Sequence, residues 1–183
     1  MLAGLLVAGC AKPLPPTTPV YEFYNALLNR YFRTANAEEA AALRSSAASG
    51  EVDTGKTFLA YPRTGYPENA KPVCRFYGSV SPGPNSHFYT VDPDECDRLK
   101  KLQQTTPSTE KRWNFEEIAF AMQVPAGDSC PADAPIPVYR VYNSGFERGK
   151  DSNHRFMTDP VLYQTMISQG WIGEKVVMCA PKG

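Results

Sequence analysis

His87 and His154 are the only imidazoles in this 183-residue chain, so any general base or imidazole metal ligand must be one of them. Both stand among aromatics, His87 in "NSHFYT" and His154 in "NHRFMT". A Ser-His-Asp triad would also need a hydroxyl nucleophile in a strained turn, and the chain has no G-x-S-x-G. Neither H-E-x-x-H nor a phosphate-cradling glycine loop is present. Asp92 and Asp159 are each followed by proline, which makes them helix caps rather than acid/base carboxylates. Glu116 and Glu174 occupy matching places after Trp113 and Trp171. Glycosidase carboxylates face one another across one cleft at roughly 5–10 Å. Positions that recur along a chain normally lie farther apart, so this pair reads as structural. Nothing in this inventory calls for a metal or a cofactor.

The second chemistry is recognition. Asn29, Asn85 and Asn153 each begin an N-x-x-F-x-T segment. An amide and an imidazole beside an aromatic face can hydrogen-bond and stack on a sugar ring. The plainer reading makes the asparagines turn residues that tolerate a left-handed backbone, and the histidines partners of nearby turn groups. The candidate binding set is His87, His154, Asn29, Asn85 and Asn153, and its expected ligand is a glycan or another surface polymer.

These segments belong to a larger recurrence. Pro19-Val20 to Tyr24, Pro72-Val73 to Tyr77 and Pro137-Val138 to Tyr142 all read P-V-x-x-x-Y. This motif and N-x-x-F-x-T keep step three times, which is the signature of a repeat. A capped helix start follows each: Asn36, Asp92-Pro93 and Asp159-Pro160. A strand-like run then closes each segment, and the first, "TFLAY", lacks the tryptophan. The expected fold is α+β and β-rich: three strand–strand–short helix–strand repeats in a pseudo-threefold arrangement. The alternative is a β-trefoil-like or small propeller-like all-β domain. One domain is expected over 19–183, with repeats near 19–62, 72–124 and 137–181.

Composition narrows the function classes. Lys+Arg and Asp+Glu are 19 each, so no basic surplus points to nucleic acid. Residues 1–10, "MLAGLLVAGC", resemble a bacterial lipobox signal ending at Cys10, which would carry the lipid. Residues 11–18 would be a stiff, proline-rich tether, and membrane contact would be through the lipid anchor alone. With Cys10 set aside, Cys74, Cys96, Cys130 and Cys179 remain. An even count in an exported chain reads as two disulfides, with three connectivities open.

"PVCRFYG", "SHFYTVDPDEC", "PVYRVYN", "NHRFMTDP" and "GWIGEKVVMCAP" together resemble a repeat family of unknown function in secreted bacterial and fungal proteins. The resemblance covers about 19–181 and implies an extracytoplasmic, non-catalytic accessory module with no established ligand. It also implies cysteine pairing within repeats, Cys74–Cys96 and Cys130–Cys179. The expected protein is a non-catalytic lipoprotein of the bacterial cell envelope, at the outer membrane or cell surface, that binds a glycan or other polymer. The alternatives are a structural or protein-interaction lipoprotein and, last, a hydrolase.

Overall fold

Strand geometry sends residues three apart to opposite faces, and the P-V-x-x-x-Y segments use this. Val20, Val73 and Val138 enter one shared core, while Phe23, Phe76 and Val141 enter three local clusters. The computed structural model describes residues 14–183. Its elements are β1 (Thr18–Asn25), β2 (Arg30–Thr34), α1 (Ala37–Ser45), β3 (Glu51–Ala60), β4 (Lys71–Tyr77), β5 (His87–Thr90), α2 (Pro93–Thr105), β6 (Asn114–Met122), β7 (Ile136–Tyr142), β8 (His154–Met157), α3 (Pro160–Ser168) and β9 (Ile172–Ala180). Short 3-10 turns lie at Ala47–Ser49 and Phe146–Arg148.

The expected fold class needs correction. The strands form three separate antiparallel sheets, ordered β2-β1-β3, β5-β4-β6 and β8-β7-β9. No closed barrel is formed among the described residues, and three helices stand where the all-β alternative has none. The physical reason is that the outer strands of neighbouring sheets are not paired along their edges, so no sheet continues into the next. Among the described residues, the backbone pairing between sheets is limited to isolated bridges, Tyr61 to Ala121 and Gln123 to Cys179. The sheets are joined instead by side chains, chiefly the shared core that includes Phe58, Phe120, Tyr89, Phe156 and Met178.

Each helix covers one local cluster and starts from a capping side chain. Asn36, Asp92 and Asp159 each accept two backbone N–H bonds of the first turn, satisfying donors that a helix start leaves unpaired. Cys74 of β4 is bonded to Cys96 of α2, and Cys130 is bonded to Cys179 of β9. The strand β3 runs from Glu51, well ahead of the "TFLAY" expected from sequence; its first half is polar and carries Gly55, so it shows no apolar strand pattern. Residues 1–13, which hold the expected signal with Cys10 and the start of the expected tether, lie outside the described residues.

The register fixes which positions correspond. Tyr24 pairs with Tyr31, Tyr77 with His87, and Tyr142 with His154. His87 and His154 are therefore counterparts, and Phe88 corresponds to Arg155. The N-x-x-F-x-T alignment is thus one residue out of step in its third copy. Matching letters there hide a different face, since a one-residue slip reverses every side chain in a strand.

Candidate functional site

The two histidines are built into the joints between sheets. His87 stacks on Tyr77 with centroids 4.8 Å apart and meets Phe32 of the first sheet at 4.6 Å. His154 stacks on Tyr142 at 4.8 Å and meets Phe88 of the second sheet at 4.8 Å. Their Nε2 atoms lie 3.5 Å from Glu116 and 3.7 Å from Glu174, and both Nδ1 atoms are buried without a partner. Burial, with Arg75 and Arg30 adding repulsion, pushes the His87 pKa down to about 3. Burial and Arg140 push His154 well below its ordinary value. An imidazole held so low is a weak base at neutral pH, where a general base works best with a pKa near the ambient value.

Glu116 and Glu174 are committed to arginines. Arg75 of β4 reaches Glu116 at 2.8 Å and, across the joint, Glu39 of α1 at 3.0 Å. Arg140 of β7 reaches Glu174 at 2.8 Å and Glu95 of α2 at 3.2 Å. Burial raises the pKa of both glutamates, the arginine beside each opposes the rise, and a nearby carboxylate adds to it. Arg75 also lies over Phe32 and Arg140 over Phe88, a cation–π contact that strengthens when desolvated.

The joint from the third sheet back to the first carries the same two roles with the charges exchanged. Glu22 stands where the other sheets have Arg75 and Arg140. Arg155 stands where they have Phe32 and Phe88, and Leu162 replaces Glu39 and Glu95 at the third residue past the cap. Arg155 bonds Glu22 at 2.8 Å and lies over Tyr31 at 4.2 Å. Glu22 is wholly buried and also bonds Arg33 at 2.8 Å and Thr54 at 2.9 Å. Burial alone would raise its pKa, but the two guanidiniums prevail and lower it.

The three asparagines do converge. They lie at the end of the molecule where loops 26–29, 78–86 and 143–153 join the first and second strands of each sheet. Arg30 donates to the Asn85 carbonyl, Ser86 to the Ser152 carbonyl, and Asn153 to the Asn29 carbonyl, a ring through all three sheets. Tyr24 donates to Asn29 and Tyr77 to Asn85, while Tyr142 meets Ser152. Ser152, not Asn153, is therefore the counterpart of Asn29 and Asn85. Asn29 is exposed with φ +46°, Asn85 is half-buried and Asn153 is buried. The three line a cavity of about 170 Å³ with Arg30, Lys150 and Asp151, and neither histidine lines it.

The same end holds a feature that the repeat motifs do not mark. A groove of about 290 Å³ runs between α2 and loop 143–153, lined by Leu99, Leu102, Lys111, Trp113, Phe146 and Ser152 among others. Ser152 borders both the groove and the asparagine cavity. Leu27, Val80 and Phe146, one from each loop, are 93%, 75% and 69% exposed. Trp113 was legible only as a strand-end aromatic, and Phe146 only as a loop residue.

Among the described residues no group of His, Cys, Asp and Glu is placed to hold a metal ion, and no helix is long and apolar enough to cross a membrane. Fold and site together define a disulfide-bonded module of three sheets, interlocked by buried ion pairs and open at a polar, aromatic-edged loop end. A family model described as a domain of unknown function, DUF5648, matches residues 7–105 and again 101–181, and the chain belongs to that family. The double match agrees with a repeat-like organisation. No curated protein and no solved structure matches the chain.

Proposed function

We propose that this chain is a non-catalytic lipoprotein module of the bacterial cell envelope that binds a glycan or similar surface polymer through its loop end. The observation that carries the reading is the meeting of Asn29, Asn85 and Asn153 in one cavity that adjoins the groove of Trp113 and Phe146. Amides supply donors and acceptors for ring hydroxyls, and the aromatic groove supplies a stacking face. His87 and His154 leave the candidate set, since both are packed away from this cavity. Glu116 and Glu174 are engaged by arginines, which supports a binding role over hydrolysis. The three motif copies are read as three copies of one ancestral segment, with the third N-x-x-F-x-T match set aside. Export and lipidation at Cys10 rest on "LVAGC" and on two disulfides of the kind that persist outside the cytoplasm.

Trp113 offers a direct test. In a Trp171→Phe background its fluorescence is the sole indole signal. Titration with soluble polysaccharides should change it saturably, and Phe146→Ala should weaken binding about tenfold, the loss of roughly 1.4 kcal/mol. Absence of binding at millimolar ligand would sink the reading. A protein partner is the second reading, favoured by the exposed Leu27 and Val80. Stoichiometric co-purification of one protein, lost in Leu27→Ser/Val80→Ser, would establish it instead. Cys10→Ala should abolish metabolic labelling with palmitate, and persistence of the label would refute the anchor.

A further inference from the structure

A cavity larger than either space at the loop end lies at the opposite end. The register places the starts of β1, β4 and β7 beside the ends of β3, β6 and β9, at Thr18–Ala60, Lys71–Met122 and Ile136–Ala180. Beyond that line, the connections 61–70 and 123–135 border a space of about 930 Å³. Ligand cavities typically span about 300–1,000 Å³ and pair apolar walls with a few converging polar groups. Tyr66, Pro67 and Pro135 contribute the apolar walls here, and Asn69, Asp133 and Lys182 contribute polar groups.

Asp133 is the informative member. It is exposed, yet its Oδ2 accepts from both Asn69 Nδ2 and Gln123 Nε2, each at 2.8 Å. Gln123 is 3% exposed, so a buried amide is spent on orienting a surface carboxylate. A solvated aspartate needs no such support, and side chains locked by neighbours are how binding sites hold their geometry. Oδ1 has no side-chain donor among the described residues. The lining mixes both charges with an amide acceptor and donor, which matches a neutral ligand carrying several hydroxyls better than a single ion.

We infer that this cavity is a second saccharide site, in which Asp133 Oδ1 accepts from ring hydroxyls and Tyr66, with Pro67 and Pro135 of the same lining, packs against the apolar face of the sugar. The inference rests on the proposed function for its ligand class, and it would make the module bind polymer at both ends. Bivalent contact raises avidity without any new chemistry at either site.

The test is an amide-resolved NMR titration of the full chain with cellohexaose and, separately, chitohexaose. Saturable shifts are expected at Asn69, Ala70, Asp133 and Ala134, in addition to Asn29, Ser152 and Asn153. Asp133→Ala should weaken binding at the first group at least tenfold and leave the second unchanged. Tyr66→Ala should do the same, which guards against a local distortion peculiar to one variant. Shifts confined to the loop end would overturn the inference and leave the proposed function standing. Cavity shifts that both variants leave intact would also overturn it. Shifts at the cavity alone would uphold it and remove the loop end as the site. No shift at either end with both probes would overturn the two together.

Discussion

His87 and His154 are held neutral between aromatic rings, and this couples the protein's stability to pH. In the unfolded chain each imidazole titrates near 6.5, whereas in the folded protein His87 titrates at about 3. Between those values the unfolded chain binds more protons, so stability rises with pH. The contribution is fully present above about 6.5 and is lost as pH falls toward 3, on the order of a few kcal/mol. Glu116 and Glu174 act in the opposite sense, because their raised pKa values let the folded state take up protons first. They soften the slope near the carboxylate range. Urea melts from pH 8 to pH 5 should show stability nearly level down to about pH 6.5 and falling below it, and His87→Phe should flatten the fall. A variant as pH-sensitive as the parent would refute this account. At the same scale, Glu22→Gln leaves Arg33 and Arg155 buried without their carboxylate, which should cost about 3–5 kcal/mol and be read as a lowered denaturation midpoint.

Helices and joints carry their own predictions. Asp92→Ala and Asp159→Ala each remove an acceptor for two backbone N–H groups, and each should cost about 1 kcal/mol, with Asn at either position nearly neutral. Thermal unfolding of the four single variants checks this directly. The exchanged third joint allows a stronger test of what holds the sheets together. Glu22→Arg alone should be severely destabilising, since it buries a third guanidinium beside Arg33 and Arg155. Adding Arg155→Phe and Leu162→Glu gives this joint the arginine, phenylalanine and helix glutamate of the other two, with Arg33 left in place. The triple variant should recover at least half of the lost stability. Strict additivity of the three changes would show that the joint does not act as one coupled unit.

Across the whole molecule, the three sheets share one core and each depends on its neighbours for a buried partner. Val138, Phe156 and Met178 come from the third sheet into that core, and Arg155 neutralises Glu22 of the first. A fragment ending at residue 124 would expose that core and leave Glu22 paired with Arg33 alone. It should show no cooperative unfolding transition, judged by coincidence of fluorescence and circular dichroism melts. A sharp two-state transition in the fragment would mean that the first two sheets form an independent domain. The two ends follow from the same assembly, since one cavity is bordered by loops from all three sheets and the other by the connections between sheets.

Local chemistry was legible in the sequence because it depends on neighbours along the chain. The caps at Asn36, Asp92 and Asp159, the P-V-x-x-x-Y segments and the turn asparagines are all set by side chains acting within a few residues. The structure also contains the Cys74–Cys96 and Cys130–Cys179 bonds. The fold class was not legible, because strand pattern does not say whether sheet edges meet, and here the sheets are joined by side chains. The third asparagine motif was misread because spelling repeats more easily than register, and register is settled by cross-strand pairing. The exchange of Glu22 with Arg155 was invisible for a related reason. Two charges 133 residues apart become a pair only when the last sheet packs against the first. The sequence alone determined the pieces and their order. Tertiary packing decided which polar groups were consumed in holding those pieces together and which were left lining the cavities at the two ends.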